Sequence, residues 1–125
     1  MRINKVFYKD QLIHDYSVII DVRTPSEFKE DHIPKSINCP VLSDKQRHEI
    51  GISYKENSFL AKKNGAELIS SNISKIIKKI KFDKKDKVLI YCWRGGLRSL
   101  SLYLVLKQIG YDRSEERRVG KECER

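Results

Sequence analysis

The sequence has no long apolar run and no leader-like N-terminus. No stretch approaches the roughly 18 apolar residues that a membrane-spanning helix needs, and the opening MRINKVFYKD lacks the apolar core of a signal peptide. Its three cysteines, Cys39, Cys92 and Cys123, are odd in number and widely spaced, which excludes a dense disulfide framework and is typical of reduced thiols. We therefore expect a cytoplasmic protein that makes no membrane contact.

The chain also lacks internal repeats, low-complexity tracts and the phosphate-binding signature GxxxxGK[ST]. His32 has no carboxylate or second histidine at metal-ligand spacing, and His14 and His48 are interpreted as surface residues. The sequence therefore predicts no metal site and no bound cofactor.

The length and charge suit one domain with a solvated surface. A chain of 125 residues can bury one modest core. The net charge of +9 comes mainly from lysine, and charge alone is weak evidence for a nucleic-acid partner. The lysine-rich segment 75–87 offers no aromatic stacking platform, so we expect any RNA contact there to be non-specific and salt-sensitive.

Short β-branched runs alternate with helical patterns, which is typical of an α/β domain. Continuous apolar runs predict strands buried on both faces of a parallel sheet. The predicted order is a strand through Val18–Ile20, a helix over 25–31, a strand over 36–38, an irregular stretch over 39–57, a helix over 59–80, a strand over 88–91 and a helix over 97–109. The first helix should begin at Thr24 as N-cap, with Pro25 at its first position and Glu27 completing a capping box.

The segment 113–125 differs from the rest of the chain. Its RSEERRVGKEC has no apolar periodicity and matches the conceptual translation of a common sequencing-adapter read. We therefore expect a domain over 1–112 that lacks its last strand and helix, followed by a non-native or disordered tail, and Cys123 receives no functional role.

The segment CWRGGLRS, residues 92–99, carries the predicted chemistry. It joins a buried strand to a helix N-terminus, where backbone N–H groups and the helix dipole gather positive charge. Gly95 and Gly96 allow successive amides to point inward as an anion-binding nest, and Arg98 and Arg94 add full charges. A thiol placed there ionises easily, so Cys92 is the candidate nucleophile.

The ordered set DVRTPSEF, HIPKSIN and YCWRGGLRS resembles the rhodanese domain, a sulfurtransferase fold with a persulfide-forming cysteine. The resemblance spans nearly all of residues 18–109. It implies a three-layer α/β fold whose central parallel sheet is flanked by helices. It also implies that Cys92 handles the chalcogen and that an anion cradle is formed by Trp93, Arg94, Gly95, Gly96, Leu97 and Arg98, with Trp93 bordering the substrate.

Within that family, CWRGGLRS and the stretch beginning PVLSDKQRHEIGISYK most resemble the N-terminal domain of tRNA 2-selenouridine synthase. That resemblance implies a following P-loop domain and the conversion of wobble 2-thiouridine to 2-selenouridine. The implied partners are tRNA, selenophosphate and, through a geranylated intermediate, geranyl diphosphate. A sulfane sulfur donor is the alternative substrate.

The spacing of Cys92 and Arg98 leaves other chemistries open. Five residues separate them, one more than in the usual sulfurtransferase loop. This longer loop resembles those of dual-specificity phosphatases and some arsenate reductases, which bind a tetrahedral oxyanion. Selenophosphate is also a tetrahedral anion, so the loop length alone does not separate these chemistries. The residues Trp-Arg-Gly-Gly that follow Cys92 in the loop, together with the PVLSD segment, favour selenium transfer.

Four further residues are assigned supporting roles. In rhodanese-like domains the DVR segment pins the strand-to-helix corner, so Asp21 and Arg23 are interpreted as structural rather than as an acid and a base. His32 should stabilise the turn before the next strand. Cys39 could act as a resolving thiol, but a small buried hydrophobic residue is the favoured interpretation.

Three functional hypotheses follow. The first is a chalcogen transferase that depends on Cys92, either within a longer protein or as a stand-alone sulfurtransferase. The second is a non-catalytic module whose loop only docks an anion or RNA. The third is a fragment without a function of its own, with a gap where a central strand belongs.

The interpretation of the tail predicts what genomic DNA encodes after Asp112. We expect the native reading frame to continue with an apolar strand, a helix and a P-loop, because the last helix is apolar nearly all round and needs cover. Sequencing the genomic locus tests this. A frame that continues with RSEERRVGKEC and stops would contradict it.

Overall fold

Strands and helices alternate along the part of the chain that the structure describes. This computed structural model describes residues 15–93 and 97–119. The elements are β1 (Val18–Asp21), α1 (Pro25–Glu30), β2 (Ile37–Asn38), α2 (Asp44–Glu56), α3 (Ser58–Lys79), β3 (Val88–Trp93), α4 (Arg98–Ile109) and β4 (Ser114–Val119). Among these residues, no helix is both long enough and apolar enough to cross a membrane.

The strands form one parallel sheet in the order β2-β1-β3-β4. The register of β1 against β3 places Ile20 opposite Ile90. Because all strands run in the same direction, their carboxyl ends share one edge of the sheet, where Asp21 and Cys92 lie. The predicted α/β class with a parallel sheet flanked by helices is confirmed.

Alternate residues of β3 face opposite sides of the sheet. Ile90 and Cys92 pack with Ile73 of α3 and Leu102 of α4 in one apolar cluster. The cluster on the other face consists of Tyr16, Ile19, Ile33, Leu89, Tyr91 and Val119. The predicted burial of this strand on both faces is therefore confirmed, and the Cys92 side chain lies on the face covered by α3 and α4.

The start of α1 matches its sequence signature. The Thr24 hydroxyl accepts from the Glu27 backbone N–H at 3.3 Å, and the Glu27 carboxylate accepts from the Thr24 backbone N–H at 3.0 Å. Pro25 occupies the first helical position. The predicted capping box is confirmed, and it fixes Glu27 at the edge of the sheet where the strands end.

The prediction of an irregular stretch over 39–57 is wrong, because α2 occupies most of it. A second capping box begins this helix: Gln46 Oε1 accepts from Ser43 N at 2.9 Å, and Ser43 Oγ accepts from Gln46 N at 3.1 Å. The helix buries no residue fully, so it has no pronounced apolar stripe. The capping box was the sequence signal for this helix. Without an apolar stripe, the rest of its sequence does not predict a helix.

The predictions of a missing last strand and a disordered tail are also wrong for residues 114–119, which form β4 beside β3. Pairing satisfies backbone groups along the β3 edge, which would otherwise be left open. Only Ser114 and Val119 of this strand are buried, because its sequence SEERRV is mostly charged. Residues 120–125, including Cys123, lie outside the described residues, and the non-native origin of the tail stays a prediction.

A buried ion pair joins the carboxyl ends of the strands. The Asp21 carboxylate accepts from Arg23 Nη2 at 2.8 Å and from Tyr91 Oη on β3 at 2.7 Å. Asn38 of β2 donates to the backbone oxygen of Arg23 at 2.9 Å. Burial and the nearby Asp21 charge raise the pKa of Tyr91, so its hydroxyl stays protonated as a donor.

The outer side of α4 is apolar and exposed. Leu102 and Leu106 are fully buried against the sheet, whereas Leu97, Leu104 and Ile109 are each more than half exposed. The sequence predicts cover for these residues, and no described part of this chain supplies it.

The buried pair generates a stability prediction. Asp21→Asn leaves the Arg23 guanidinium, which is 1% exposed, without its counter-charge, so we expect the free energy of unfolding to fall by about 3 to 5 kcal/mol. The exposed Glu56→Gln is the control, with an expected change within about 0.5 kcal/mol. Urea unfolding monitored by circular dichroism measures both. A loss below about 1 kcal/mol in Asp21→Asn would contradict the role given to the pair.

Candidate active site

Cys92 lies one residue before the end of β3, at the shared carboxyl edge of the sheet. Its side chain is fully buried beneath the first turn of α4. Ligands of open parallel sheets bind at this edge, because loops and helix N-termini converge there. The fold therefore puts the predicted nucleophile where such chemistry is found.

The Cys92 sulfur contacts the start of α4. The backbone N–H of Ser99 donates to Sγ at 3.4 Å, and Ser99 Oγ lies 3.0 Å from Sγ. The thiol also donates to the backbone oxygen of Trp93 at 3.3 Å. The sulfur therefore lies against the N-terminal turn of α4, with one backbone N–H directed at it.

Ser99 also connects the sulfur to β4. Its hydroxyl donates to Glu116 Oε2 at 2.5 Å. Because a hydroxyl has one proton, Ser99 Oγ presents only lone pairs to Sγ. The single thiol proton is therefore shared between Ser99 Oγ and the Trp93 backbone oxygen.

Arg98 begins α4 and is nearly buried, with its guanidinium directed at α1. Its Nη1 donates to Glu27 Oε1 at 2.8 Å, and its Nη2 donates to Glu27 Oε2 at 3.3 Å. Arg47 of α2 approaches the same carboxylate, with Nη1 3.7 Å from Oε2. The carboxylate of Glu27 thus links the first turns of α1 and α4 to α2.

These contacts determine the charge state of Glu27. Burial alone would raise the pKa of its carboxyl, but the hydrogen bonds and charge of Arg98, the Thr24 backbone N–H and the charge of Arg47 outweigh burial and lower the pKa to about 2. Glu27 is therefore ionised at any pH at which the protein works.

A cavity of about 930 Å³ lies beside this cluster. Trp93 and Arg98 border it from the Cys92 side, and α2 contributes Arg47, Tyr54 and Lys55. The buried Cys92 sulfur does not line this cavity, although Trp93 and Arg98 of the same segment do. A substrate in the cavity would lie next to the predicted cradle.

Trp93 is held on one side by Arg23. The Arg23 guanidinium carbon lies 5.5 Å from the centroid of the Trp93 ring, a cation–π distance. Trp93 also borders a smaller cavity of about 430 Å³ that Arg23 and Asp31 line. The buried ion pair of the DVR segment thereby supports the aromatic ring at the cavity wall.

The remaining predicted residues are distributed as follows. Arg94, Gly95 and Gly96 lie outside the described residues, and Leu97 is 61% exposed. The His32 ring stacks on Phe28 with ring centroids 3.8 Å apart, and its Nδ1 lies 2.7 Å from the Phe28 carbonyl oxygen. These contacts place His32 in the turn that precedes β2, away from the Cys92 cluster.

Cys39 packs at the margin of the apolar cluster that contains Cys92. Burial is the main cause of a raised pKa for its thiol. A raised pKa keeps the thiol protonated and less reactive, which supports the interpretation of Cys39 as a small hydrophobic residue rather than a resolving thiol.

Three residues of this site were not predicted as functional. Ser99 had one readable signal, its place in the first helical turn after the loop. Glu27 was read only as a capping residue, and its contact with Arg98 spans 71 positions of sequence. Arg47 belongs to α2, which the sequence analysis missed.

The comparisons with known proteins agree with the fold and the motifs. The rhodanese-like domain family matches residues 8–116 of this chain. In a search of solved structures, the chain resembles the N-terminal domain of a protein described as an ATP/GTP binding protein from Clostridium difficile 630. The TM-score is 0.72 at 29% identity, over 99% of this chain and 95% of that one.

Curated relatives carry the name tRNA 2-selenouridine synthase. The protein of Psychromonas ingrahamii is 37% identical over 97 residues, which cover 75% of this chain and 27% of that protein. The protein of Shewanella pealeana is 35% identical over 121 residues, 90% of this chain and 32% of that protein. The chain thus spans about a third or less of these relatives. Its match to the family over most of its length shows that it belongs to the rhodanese-like domain family.

Proposed function

We propose that this domain transfers sulfur or selenium through Cys92. The observation that carries the proposal is the position of the Cys92 sulfur against the first turn of α4, where the Ser99 N–H donates to it. Membership of the rhodanese-like family supports the same chemistry. The enzyme class is therefore a transferase that uses a cysteine nucleophile.

The step can be written for a sulfane sulfur donor of the thiosulfate class. The Cys92 thiolate attacks the outer sulfur of the donor, and a bond forms between the two sulfur atoms. The sulfur–sulfur bond of the donor breaks, and sulfite leaves with its electron pair. Cys92 then carries a persulfide, whose terminal sulfur is passed to an acceptor.

We further propose that the domain serves the conversion of 2-thiouridine to 2-selenouridine in tRNA, with selenophosphate as the selenium source. The names of the curated relatives support this substrate class. Because the chain spans at most 32% of these two relatives, the complete reaction is assigned to a longer protein with a P-loop domain that binds tRNA and geranyl diphosphate.

A second candidate is a non-catalytic module that docks an anion or RNA beside the loop. The full burial of the Cys92 sulfur, away from the cavity lining, is the observation that favours it. In that case the cavity binds a ligand while the chemistry takes place on another domain.

Substitution of the two described cysteines separates these candidates. In the longer protein, we expect Cys92→Ser to reduce chalcogen transfer by about 10³-fold or more, because a hydroxyl cannot carry the persulfide. Cys39→Ser is the matched control and should keep at least about half of the activity. The measurements are formation of 2-selenouridine in tRNA and tRNA binding by filter retention.

Normal tRNA binding with lost transfer in Cys92→Ser supports the catalytic role. Full transfer by Cys92→Ser would exclude that role and leave the docking module.

A further inference from the structure

The guanidinium that the anion cradle relies on is already occupied. Arg98 is the arginine that ends the Cys92 loop, and the carboxylate of Glu27 accepts from both of its terminal nitrogens. The Arg98 and Glu27 side chains are 9% and 14% exposed, so little water screens the pair. Any anion that needs the Arg98 charge must compete with this internal carboxylate.

Glu27 is a persistent competitor. Its Oε1 accepts from Thr24 N and from Thr24 Oγ1, each at 3.0 Å, within the capping box that begins α1. These local bonds fix the carboxylate where Arg98 meets it. Since the pKa of Glu27 is lowered to about 2, protonation does not remove the competitor under working conditions.

The described lining of the cavity beside the pair carries no excess of positive charge. Its described charged lining residues are the acidic Glu27, Glu30 and Asp44 and the basic Arg47, Lys55 and Arg98. The two signs are equally represented. The high net charge of the chain is therefore not concentrated among the described residues of this cavity lining.

We propose that Glu27 is a specificity-determining residue: it competes with oxyanion ligands for Arg98 and so disfavours phosphate monoesters and inorganic phosphate at this site. The inference rests on the proposed function, because it concerns the same anion cradle. It separates this domain from phosphatase chemistry, which requires binding of a phosphate oxyanion.

A second cation lies beside Glu27 and can pair with its carboxylate when an anion takes its place at Arg98. Arg47 Nη1 lies 3.7 Å from Glu27 Oε2, on the cavity side of the pair. An anion that displaces Glu27 from Arg98 leaves Glu27 beside this second cation. An anion that binds Arg98 more weakly than the Glu27 carboxylate does is not expected to displace it.

The test measures binding of inorganic phosphate to this chain. Trp93 is the only tryptophan and borders the cavity, so its fluorescence reports binding. We expect Glu27→Gln to bind phosphate at least about tenfold more tightly than the native chain, since Gln retains the capping oxygen but not the charge. Isothermal titration calorimetry provides an independent dissociation constant.

Glu30→Gln is the matched control. It removes the same charge from the same cavity, on the same helix, and we expect a change of less than about threefold. An equal gain in both variants would overturn the proposal, because it would show a general charge effect. No gain in folded Glu27→Gln would overturn it as well.

A measurement on the native chain keeps the proposal testable if Glu27→Gln fails to fold. The ¹⁵N resonance of the Arg98 Nε–H, assigned by its loss in Arg98→Lys, should stay unchanged at millimolar phosphate. A shift of this resonance at that concentration would contradict the competition. Phosphate binding does not require Cys92 chemistry, so this result is independent of whether Cys92 transfers sulfur.

Discussion

The buried contact between Asp21 and Arg23 is the interaction on which the rest of the site depends. It lies where β1 ends, and it fastens β1 to β3 through the Tyr91 hydroxyl and to β2 through Asn38. Charges this deeply buried are tolerated when each is paired and hydrogen-bonded, and both conditions hold here. The same guanidinium supports the Trp93 ring at the cavity wall.

The first turns of α1 and α4 position the other residues of the site. The capping box of α1 fixes Glu27, Glu27 holds Arg98, and the residue after Arg98 presents its backbone N–H to the Cys92 sulfur. In the proposed function, the sulfur and a bound anion therefore use different groups. The Cys92 sulfur lies against the start of α4, while the charge of Arg98 is shared with an internal carboxylate.

Local signals in the sequence were sufficient for much of this architecture. The apolar run before Cys92 predicted a strand buried on both faces, and the Thr24 capping box predicted the start of α1. Long-range contacts had no local signal: Glu27 meets Arg98 only because parallel strands bring their carboxyl ends together. The helix α2 was missed because it buries no residue fully, and β4 was missed because its charged sequence lacks the pattern of an interior strand.

The proposed function requires the Cys92 sulfur to accept a chalcogen atom. The most direct measurement is peptide mass spectrometry of this chain after incubation with a sulfane sulfur donor such as thiosulfate, without reducing agent. We expect the added mass of one sulfur atom on the peptide that contains Cys92 and none on the peptide that contains Cys39. An unmodified Cys92 peptide, or added sulfur on Cys39 alone, would contradict it.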